Sequence, residues 1–475
     1  MDQNSDVVEA LVLEELGKGR IKGPFNTPPL DDFHVSPLKL VPKSTPGKFR
    51  LIHNLSFPYD ETSVNFNIPK EESTVQYACV QDAIELIQKI GPGCFMAKSD
   101  IAQAFRIIPI SEDCHHLLGF KFKGFYYYDT CLAMGASCSC KIFEEFSTAL
   151  QWILKTKFKV DHCVHILDDF LFLAFSQKLA AHYLKCWTTL ASDIGTPIAW
   201  DKTTDPAQII IFAGVELNSL EMTACLPLDK LQRYTARVRE LLGSRKATLE
   251  TLQSVIGCLQ WATSVVLPGK AFLRRLIDRT IGIKKPFHFA TLNSEAQADL
   301  AMWEAFLRSH NGKSIFLPCS ELTSATLHMF SDSSSKACAV VLGTDWFSIP
   351  FPVSWQDKNI AFLELYPIAV AIHVFGDILR NSRVCFHTDN EAISIVINKQ
   401  SAKNSDLMKL VRPLVLSCMN YNIKFRSKHI AGKLNVLADR LSRSLQVNPK
   451  LLQDFGMSPI PTHVPPALLP SNWRL

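Results

Sequence analysis

The sequence lacks the cysteine spacing of a small disulfide-bonded scaffold. Its 14 cysteines are scattered over 475 residues without a Cys-x-x-Cys pair, and the nearest two are Cys138 and Cys140. Disulfide frameworks and small metal modules place cysteines at short, regular spacings. The sequence therefore predicts reduced thiols, mostly in a core, in an intracellular protein.

A secretion signal and a membrane span are also missing. The first 15 residues are rich in acidic side chains, whereas a signal peptide is basic and then apolar. The stretch most like a membrane span, residues 360–379, contains Glu364, Asp377 and a proline. A charge at membrane depth is costly, so we interpret this stretch as a buried helix and expect no membrane partner.

Net charge is low as well. A formal charge of +5 permits a polyanionic partner without requiring one. The argument for nucleic acid as a partner must therefore come from where the basic residues lie. A hydrophobic content of 47% with 20% charged residues is typical of a folded protein. Because 475 residues exceed the size at which one core keeps growing, we expect at least two domains.

Two adjacent carboxylates, Asp168 and Asp169, interrupt an apolar run from His165 to Ala174. The pattern predicts a strand, a tight turn and a returning strand, with both acids at the tip. Like charges at the edge of a hydrophobic sheet raise each other's pKa, and a divalent cation removes that cost. Taken alone, the pattern is more typical of a solvated hairpin turn.

A third carboxylate, Asp100, ends another apolar-leaning segment. If folding brings it beside Asp168 and Asp169, the three acids complete a site for two cations roughly 3.5–4 Å apart, which suits in-line phosphoryl transfer. Phe105, five positions later, could stand against the sugar of a bound nucleotide. Its position alone favours ordinary core packing.

Glycine and basic residues near these acids give weaker signals. Lys43 and Arg50 flank a Pro-Gly turn that could fold over a triphosphate, although basic hairpin tips are usually only solvated. Gly135 lies between an aromatic strand and a predicted helix, where it allows close backbone approach of a ligand. Lys202 adds one cation in a loop and is a further candidate substrate contact. Residues 212–217, which follow this loop, are expected to form one short strand.

The most basic part of the chain is a helical region, residues 228–283. An excess of one sign suits a phosphate backbone, whereas charged helix faces are ordinarily solvated. The candidate nucleic-acid contacts in this region are Lys270, Arg274 and Arg275.

Chemistry-bearing residues recur after residue 325. Asp332 and Asp389 end strand-like segments, Glu364 and Asp439 lie in predicted helices, and His429 lies in a glycine-containing loop. Each acid alone is more typical of a cap or an exposed turn. If they converge, they hold two cations that activate water against a phosphodiester, and His429 could assist departure of the leaving group or product.

The order and spacing of these motifs resemble those of retroelement reverse transcriptases. The shared segments are Asp100 with Ala104-Phe105, Leu132 to Ala136, Leu167-Asp168-Asp169, Trp200 to Lys202 and Phe212 to Leu217. More narrowly, Lys43 to Ser56, Ser63-Val64-Asn65 and Leu267 to Leu276 look like the DIRS-type retrotransposon branch. The sequence departs from the family at two positions. Ile166 stands where the family commonly has Tyr, and Asn54 stands where many relatives have Asp.

The resemblance implies an α+β fold, a right-hand polymerase with fingers, palm and thumb. It implies that Asp100, Asp168 and Asp169 hold Mg²⁺. It also implies that Lys43 and Arg50 face the incoming triphosphate, and that Phe105 and Met134 line its pocket.

The second set resembles the ribonuclease H fold. There Asp332, Glu364, Asp389 and Asp439 match the four acidic ligands and His429 matches the loop histidine. The implied division is 1–226 fingers and palm, 227–280 thumb, 281–322 connection, 323–445 ribonuclease H-like α/β domain, and 446–475 an extended, weakly ordered Pro-rich tail.

The expected function is RNA-directed DNA polymerase with a ribonuclease H, each centre using two Mg²⁺ or Mn²⁺ ions. The expected partners are an RNA template, a DNA primer, the RNA–DNA hybrid and deoxynucleoside triphosphates. The alternative is a domesticated or decayed element that binds nucleic acid without catalysis. No protease, zinc-knuckle, recombinase or integrase signature is found, so the chain could be one product of a longer element.

Overall fold

We describe a computed structural model of the chain, which covers residues 5–42, 47–309, 314–315, 326–421, 423–443 and 447–472. The chain divides into two compact units, Met1–Met222 and Thr223–Leu475. Both units mix helices with strands.

The first unit contains five α-helices and eleven strands within its described residues. The helices are α1 (Ser5–Gly17), α2 (Lys70–Ser73), α3 (Val80–Ile90), α4 (Ser139–Lys157) and α5 (Gln177–Asp193). The strands are β1 (Ile21–Phe25), β2 (Leu38–Pro42), β3 (Phe49–His53), β4 (Phe95–Asp100), β5 (Gly119–Phe122), β6 (Phe125–Asp129), β7 (Cys163–Ile166), β8 (Asp169–Ala174), β9 (Thr204–Ala207), β10 (Ile209–Phe212) and β11 (Val215–Asn218).

An antiparallel sheet in the order β7-β8-β4-β9 forms the centre of this unit. Its middle strand β8 is fully buried from Phe170 to Leu173, as its unbroken apolar sequence predicts. Helices α4 and α5 supply the opposing core, where Trp187 stacks on Phe170 with ring centroids 4.4 Å apart. This packing holds the sheet in place next to the ends of β4 and β8.

Two smaller sheets complete the first unit. One has the order β1-β6-β5, and the other is the hairpin β2–β3, in which Val41 pairs with Arg50. Lys43 lies outside the described residues.

Residues 212–217, expected to form one short strand, form parts of two. Strand β10 ends at Phe212 and β11 begins at Val215. Ala213 and Gly214 both have positive φ, 45° and 73°, which suits the tight turn between the strands of a hairpin. The single-strand expectation is therefore wrong.

The second unit contains nine α-helices and nine strands within its described residues. The helices are α6 (Leu228–Leu241), α7 (Leu249–Ala262), α8 (Arg274–Asp278), α9 (Ser294–Ser309), α10 (Ile360–Val374), α11 (Glu391–Lys399), α12 (Ser405–Asn420), α13 (Val436–Arg443) and α14 (Pro449–Asp454). The strands are β12 (Thr223–Cys225), β13 (Lys246–Thr248), β14 (Phe289–Thr291), β15 (Ser314–Ile315), β16 (Thr326–Ser333), β17 (Ala337–Leu342), β18 (Asp345–Pro350), β19 (Arg383–Thr388) and β20 (Lys424–His429).

A five-stranded mixed sheet in the order β18-β17-β16-β19-β20 organises the C-terminal half of this unit. Strands β16, β19 and β20 are parallel, and β16, β17 and β18 are antiparallel. Helix α10 is buried from Phe362 to Ile372, so the interpretation of residues 360–379 as a buried stretch is confirmed for this helix. Among the described residues, no helix is both long and apolar enough to cross a bilayer.

The Pro-rich tail packs against this sheet across residues 447–472. Leu452 of α14 is buried with Trp346 and Val341 in one apolar cluster, and the Trp346 indole donates to the Ser458 carbonyl at 2.8 Å. Tyr366 donates its hydroxyl proton to Leu468 O at 2.5 Å. The expectation of a weakly ordered end is wrong for this range, because apolar residues between the prolines cover a sheet face.

Candidate active sites

The first candidate site lies at the turn between β7 and β8. Ile166 ends β7 and pairs with Asp169, which begins β8, so Leu167 and Asp168 form a two-residue turn. Leu167 has φ of 54°, a left-handed conformation that is unusual for leucine. The predicted strand-turn-strand therefore forms, with both acids at its tip.

Strand β4 brings the third acid to this tip. Asp100 is the last residue of β4 and stands in register with Asp169 on β8. The Ile101 N–H donates to the Asp168 carbonyl at 2.9 Å, which fixes the two segments side by side. The structure thus places all three predicted carboxylates at the same edge of one sheet.

The electrostatics of the three acids favour a bound cation. Burial raises the pKa of Asp169 to about 6, and burial together with the Asp100 charge raises the pKa of Asp168. Asp169 Oδ1 is buried without a hydrogen-bond partner among the described residues, and Lys98 Nζ lies 4.0 Å from it. A hard cation with oxygen ligands would satisfy this oxygen and offset the cost of ionising the acids.

Lys202, a predicted substrate contact, donates to Asp100 in this structure. Its ammonium donates to both Asp100 oxygens, at 3.0 and 3.1 Å. The oxygens of the three acids are not gathered within 4.8 Å of one another, unlike those of the second site below. In this arrangement Lys202 neutralises one of the three carboxylates.

Glu144 supports the acidic turn from behind, and sequence reasoning missed it. Glu144 Oε2 accepts from the Leu167 N–H at 3.1 Å, at the left-handed residue of the turn. Its other oxygen lies 3.2 Å from Nε2 of His165, whose Nδ1 meets Gln151 Oε1 at 2.5 Å. Burial lowers the pKa of His165 to about 4, so this imidazole is neutral. A lone acid on an amphipathic helix gave no sequence signal for this contact.

The loop before α4 holds Met134 and Gly135 against the β3 end. His53 N–H donates to Met134 O at 2.9 Å. A Cβ at Gly135 would lie 1.9 Å from His53 O, and its φ is 141°. Asn65 clamps the same loop by donating to Gly135 O at 2.8 Å and accepting from Ser137 N at 2.9 Å. Only glycine fits this close backbone approach.

Phe105 and Arg50, two further predicted substrate contacts, differ in their surroundings: the first packs partly in the core and the second is exposed. Phe105 packs edge-on against Phe143, with ring centroids 5.6 Å apart, and is only partly buried. Core packing is therefore part of its role. Arg50 is exposed on β3, and its charge lowers the pKa of Asp168, against the larger effect of burial.

The second candidate site collects three acids from three elements. Asp332 lies near the end of β16, Asp389 follows β19, and Glu364 lies in α10. One carboxylate oxygen from each lies within 4.8 Å of the other two. The parallel pairing of β16 with β19 places the first two side by side, and α10 covers β16.

This cluster carries a high electrostatic cost. Burial, followed by Asp332 and Asp389, raises the pKa of Glu364 to about 9, and burial raises the pKa of Asp332. Glu364 Oε2 is buried without a hydrogen-bond partner among the described residues, whereas Asp332 Oδ2 accepts from Ser442 at 2.5 Å. The donor set fits a divalent cation with oxygen ligands.

Asp439 and His429 lie at the margin of this cluster. Asp439 pairs with Arg443 at 2.6 Å and is not in the group of three acids, although its charge still raises the Asp332 pKa in addition to burial. His429 Nε2 is 3.1 Å from the Asp389 carbonyl oxygen. A Cβ at Gly432 would lie 3.2 Å from Asp389 Oδ2, so the histidine loop borders this carboxylate.

The three predicted nucleic-acid contacts differ in whether an ion pair within the protein already engages the side chain. Lys270 is exposed in a 3-10 helix. Arg274 pairs with Asp278 at 2.6 Å, and Arg275 pairs with Glu295 and the buried Asp299 at 3.3 and 3.4 Å. Arg275 therefore also ties α8 to α9, whereas the Arg274 pair lies within α8.

Comparison with known proteins gives structural matches alone. No protein-family model matches the chain, and no curated protein is significantly similar to it. A foamy viral protease-reverse transcriptase in complex with double-stranded DNA is similar over 89% of this chain and 69% of that chain, with a TM-score of 0.51 and 15% identity. A second structure, of the foamy viral protease-reverse transcriptase in complex with double-stranded DNA, has a TM-score of 0.49 and 16% identity. The match covers 89% of this chain and 82% of that chain.

The first of these likenesses shows the fold. The chain is an α+β protein with a reverse transcriptase-like fold, which fits the expected fingers, palm and thumb followed by a ribonuclease H-like α/β domain. The expected fold class is confirmed. The five-segment division and the roles of individual residues stay predictions.

Proposed function

We propose that this chain is an RNA-directed DNA polymerase joined to a ribonuclease H, from a DIRS-type retrotransposon. The observation that carries the proposal is the register of Asp100 with Asp169, beside Asp168, at the end of a buried sheet in a reverse transcriptase-like fold. The motifs from Lys43 to Ser56 and from Leu267 to Leu276 support the DIRS-type assignment.

In the polymerase centre, Asp100, Asp168 and Asp169 would hold Mg²⁺ or Mn²⁺. Such ions, two per site, supply activation of the attacking oxygen and stabilisation of the leaving group in both proposed centres. The chain's own residues position the substrate. Gly135 lets the loop before α4 lie close to His53 O and so fixes the position of that loop, and Arg50 and Lys43 would offer cations to the triphosphate.

Lys202 would exchange its bond to Asp100 for a phosphate oxygen when the site fills. Phe105 and Met134 would line the nucleotide pocket. Each of these roles places a side chain next to the incoming deoxynucleoside triphosphate.

In the ribonuclease centre, Asp332, Glu364 and Asp389 would hold the metal ions, with Asp439 joining them on release from Arg443. His429 would hold or move a proton at the leaving oxygen. The two centres suit one chain, because a polymerase that copies RNA leaves an RNA–DNA hybrid, and tethering delivers the nuclease to it. Recognition would rest on backbone shape and the 2′-hydroxyl.

The proposed location is intracellular. The described cysteines are all free, including buried ones such as Cys94 and Cys163, which is typical of a reducing compartment. Exposed Lys270, with Arg274 and Arg275, would contact the phosphate backbone of template, primer or hybrid.

Primer extension tests the polymerase. The full chain is incubated with a primed RNA template, deoxynucleoside triphosphates and Mg²⁺, beside D168N and the exposed control D205N. We expect extension by the native chain and by D205N, and at least about 10³-fold less by D168N, because one metal ligand is lost. No extension by the native chain, with D168N unchanged, would refute the polymerase.

The rival proposal is a decayed element that binds nucleic acid without catalysis. Against it, all seven predicted acidic ligands are present in the sequence. An RNA–DNA hybrid labelled in the RNA strand separates the two proposals, because a decayed element would bind the hybrid and leave it uncut. We expect cleavage by the native chain and by D406N, which changes an exposed acid, and loss of cleavage in D389N.

A further inference from the structure

Three soft-metal ligands meet on the C-terminal sheet, outside both acidic clusters. They are His328 on β16 and Cys385 and His387 on β19. One ligand atom from each lies within 4.8 Å of the other two. His328 stands in register with Cys385, and His387, two residues further, points to the same face of the strand.

The two imidazoles are already joined at the position where a metal ion would bind. His328 Nδ1 lies 2.8 Å from His387 Nε2, so a single proton is shared between the two nitrogens. The remaining nitrogen of His387, Nδ1, is buried and has no hydrogen-bond partner among the described residues. Phe330 stacks on the His387 ring, with centroids 4.5 Å apart, and fixes the plane of that ring.

The separations match a tetrahedral ion after a small adjustment. Zinc bonds of about 2.0–2.3 Å in a tetrahedron place nitrogen and sulfur donors about 3.3–3.6 Å apart. Two imidazoles and a thiolate are a donor set that zinc prefers over oxygen-seeking Mg²⁺. Because His328 is exposed, the cluster is open to solvent on that side.

We propose that His328, Cys385 and His387 form a zinc site that links β16 to β19. Zinc takes the place of the proton shared by the histidines, which moves to the other nitrogen of its own ring, so both imidazoles bind as neutral ligands. The proton of the Cys385 thiol passes to solvent. The ion then ties together the two strands that carry Asp332 and Asp389. This site needs no polymerase or nuclease activity, so its test is independent of the proposed function.

Nearby cations set the affinity of the site. Arg426 and Lys428 stand in register with Cys385 and His387 on β20, and both are exposed. Exposed charges are screened by water and salt, so they reduce zinc affinity without preventing binding. The thiolate supplies the negative charge that the ion requires.

Metal binding to the full chain tests the site. The protein is stripped with a chelator and titrated with Zn²⁺, and separately with Co²⁺, in excess Mg²⁺ to occupy the acidic clusters. We expect one zinc equivalent per chain that is absent from C385A and H387A, and a thiolate-to-cobalt absorption band that is absent from C385A. C418A, which removes a buried cysteine of α12 in the same unit, should retain both.

A substitution at the exposed ligand, His328, tests the site without disturbing the core. H328N leaves the core intact and should weaken zinc binding by more than the about 10–100-fold that outer-shell partners are worth. Zinc should raise the melting temperature of the native chain and not that of C385A. Absence of the cobalt band from the native chain, or an unchanged zinc equivalent in C385A and H328N, would overturn the proposal.

Discussion

Buried carboxylates at the two centres are the residues whose chemistry depends most on their surroundings. Glu364 is 5% exposed and lies beside two other acids, and burial is the larger cause of its raised pKa, about 9. Ordinary glutamate ionises near pH 4.5. Between these values the folded chain holds a proton that the unfolded chain has released, so stability falls as pH rises through this window.

E364Q should remove this dependence. Without metal ions, we expect the free energy of unfolding of E364Q to match the native chain near pH 5 and exceed it by about 1–3 kcal/mol near pH 8, because glutamine mimics the protonated acid. Urea denaturation with a chelator measures the difference. Mg²⁺ should shrink it, since the ion stabilises the ionised glutamate. A difference that stays constant with pH would contradict this account.

Glu144 is a positioning residue for the Asp168–Asp169 turn. Removing its acceptor in E144A frees the left-handed Leu167, and we expect kcat for extension to fall about 10–100-fold with KM for the nucleotide little changed, as for other outer-shell partners. E144Q keeps an acceptor and should recover most of kcat. Equal losses in E144A and E144Q, or a loss confined to KM, would argue against positioning.

At the scale of elements, the loop before α4 depends on one glycine. In G135A the new Cβ would overlap His53 O, and φ of 141° is unfavourable for alanine. We expect a loss of about 1–3 kcal/mol in unfolding free energy and a raised KM for the nucleotide. G17A is a matched control, since Gly17 ends α1 with no atom within 4 Å of a new Cβ, and its stability should be unchanged or higher. A G135A chain as stable and active as G17A would remove this role.

The elements also show which features the sequence could predict. The β7–β8 hairpin follows from an apolar run broken by two aspartates, and α4 follows the glycine junction as expected. The sequence does not predict the β10–β11 turn, because alanine rarely has the positive φ that Ala213 has in the folded turn, where its N–H donates to Asp169 Oδ2 at 3.3 Å. Tertiary contacts override the local pattern there.

The site residues likewise divide into those whose placement the sequence predicts and those whose contacts it does not predict. Asp332, Glu364 and Asp389 converge as the motif spacing predicts, since the first lies on a strand, the second on a helix and the third directly after a strand. Lys202 and Asp439 each form an ion pair that the pattern does not predict, with Asp100 and Arg443. Side-chain partners of this kind depend on distances between elements, which spacing along the chain does not encode.

For the whole molecule, the decisive question is whether the two acidic centres act separately. Asp100 belongs to the first compact unit and Asp389 to the second. Each unit has its own buried core, around Phe170 and Trp187 in the first and around α10 in the second. A substitution that preserves shape in one centre should therefore leave the other intact.

D100N and D389N form a reciprocal pair that tests this separation. We expect D100N to lose primer extension by at least about 10³-fold while cutting the RNA of a preformed hybrid at the native rate, and D389N to do the reverse, because each loses one metal ligand. Both assays use the same preparation of full chain, and matching melting temperatures establish folding. Joint loss of both activities in either variant would mean that the acids serve one coupled centre, and retention of both would remove their catalytic role.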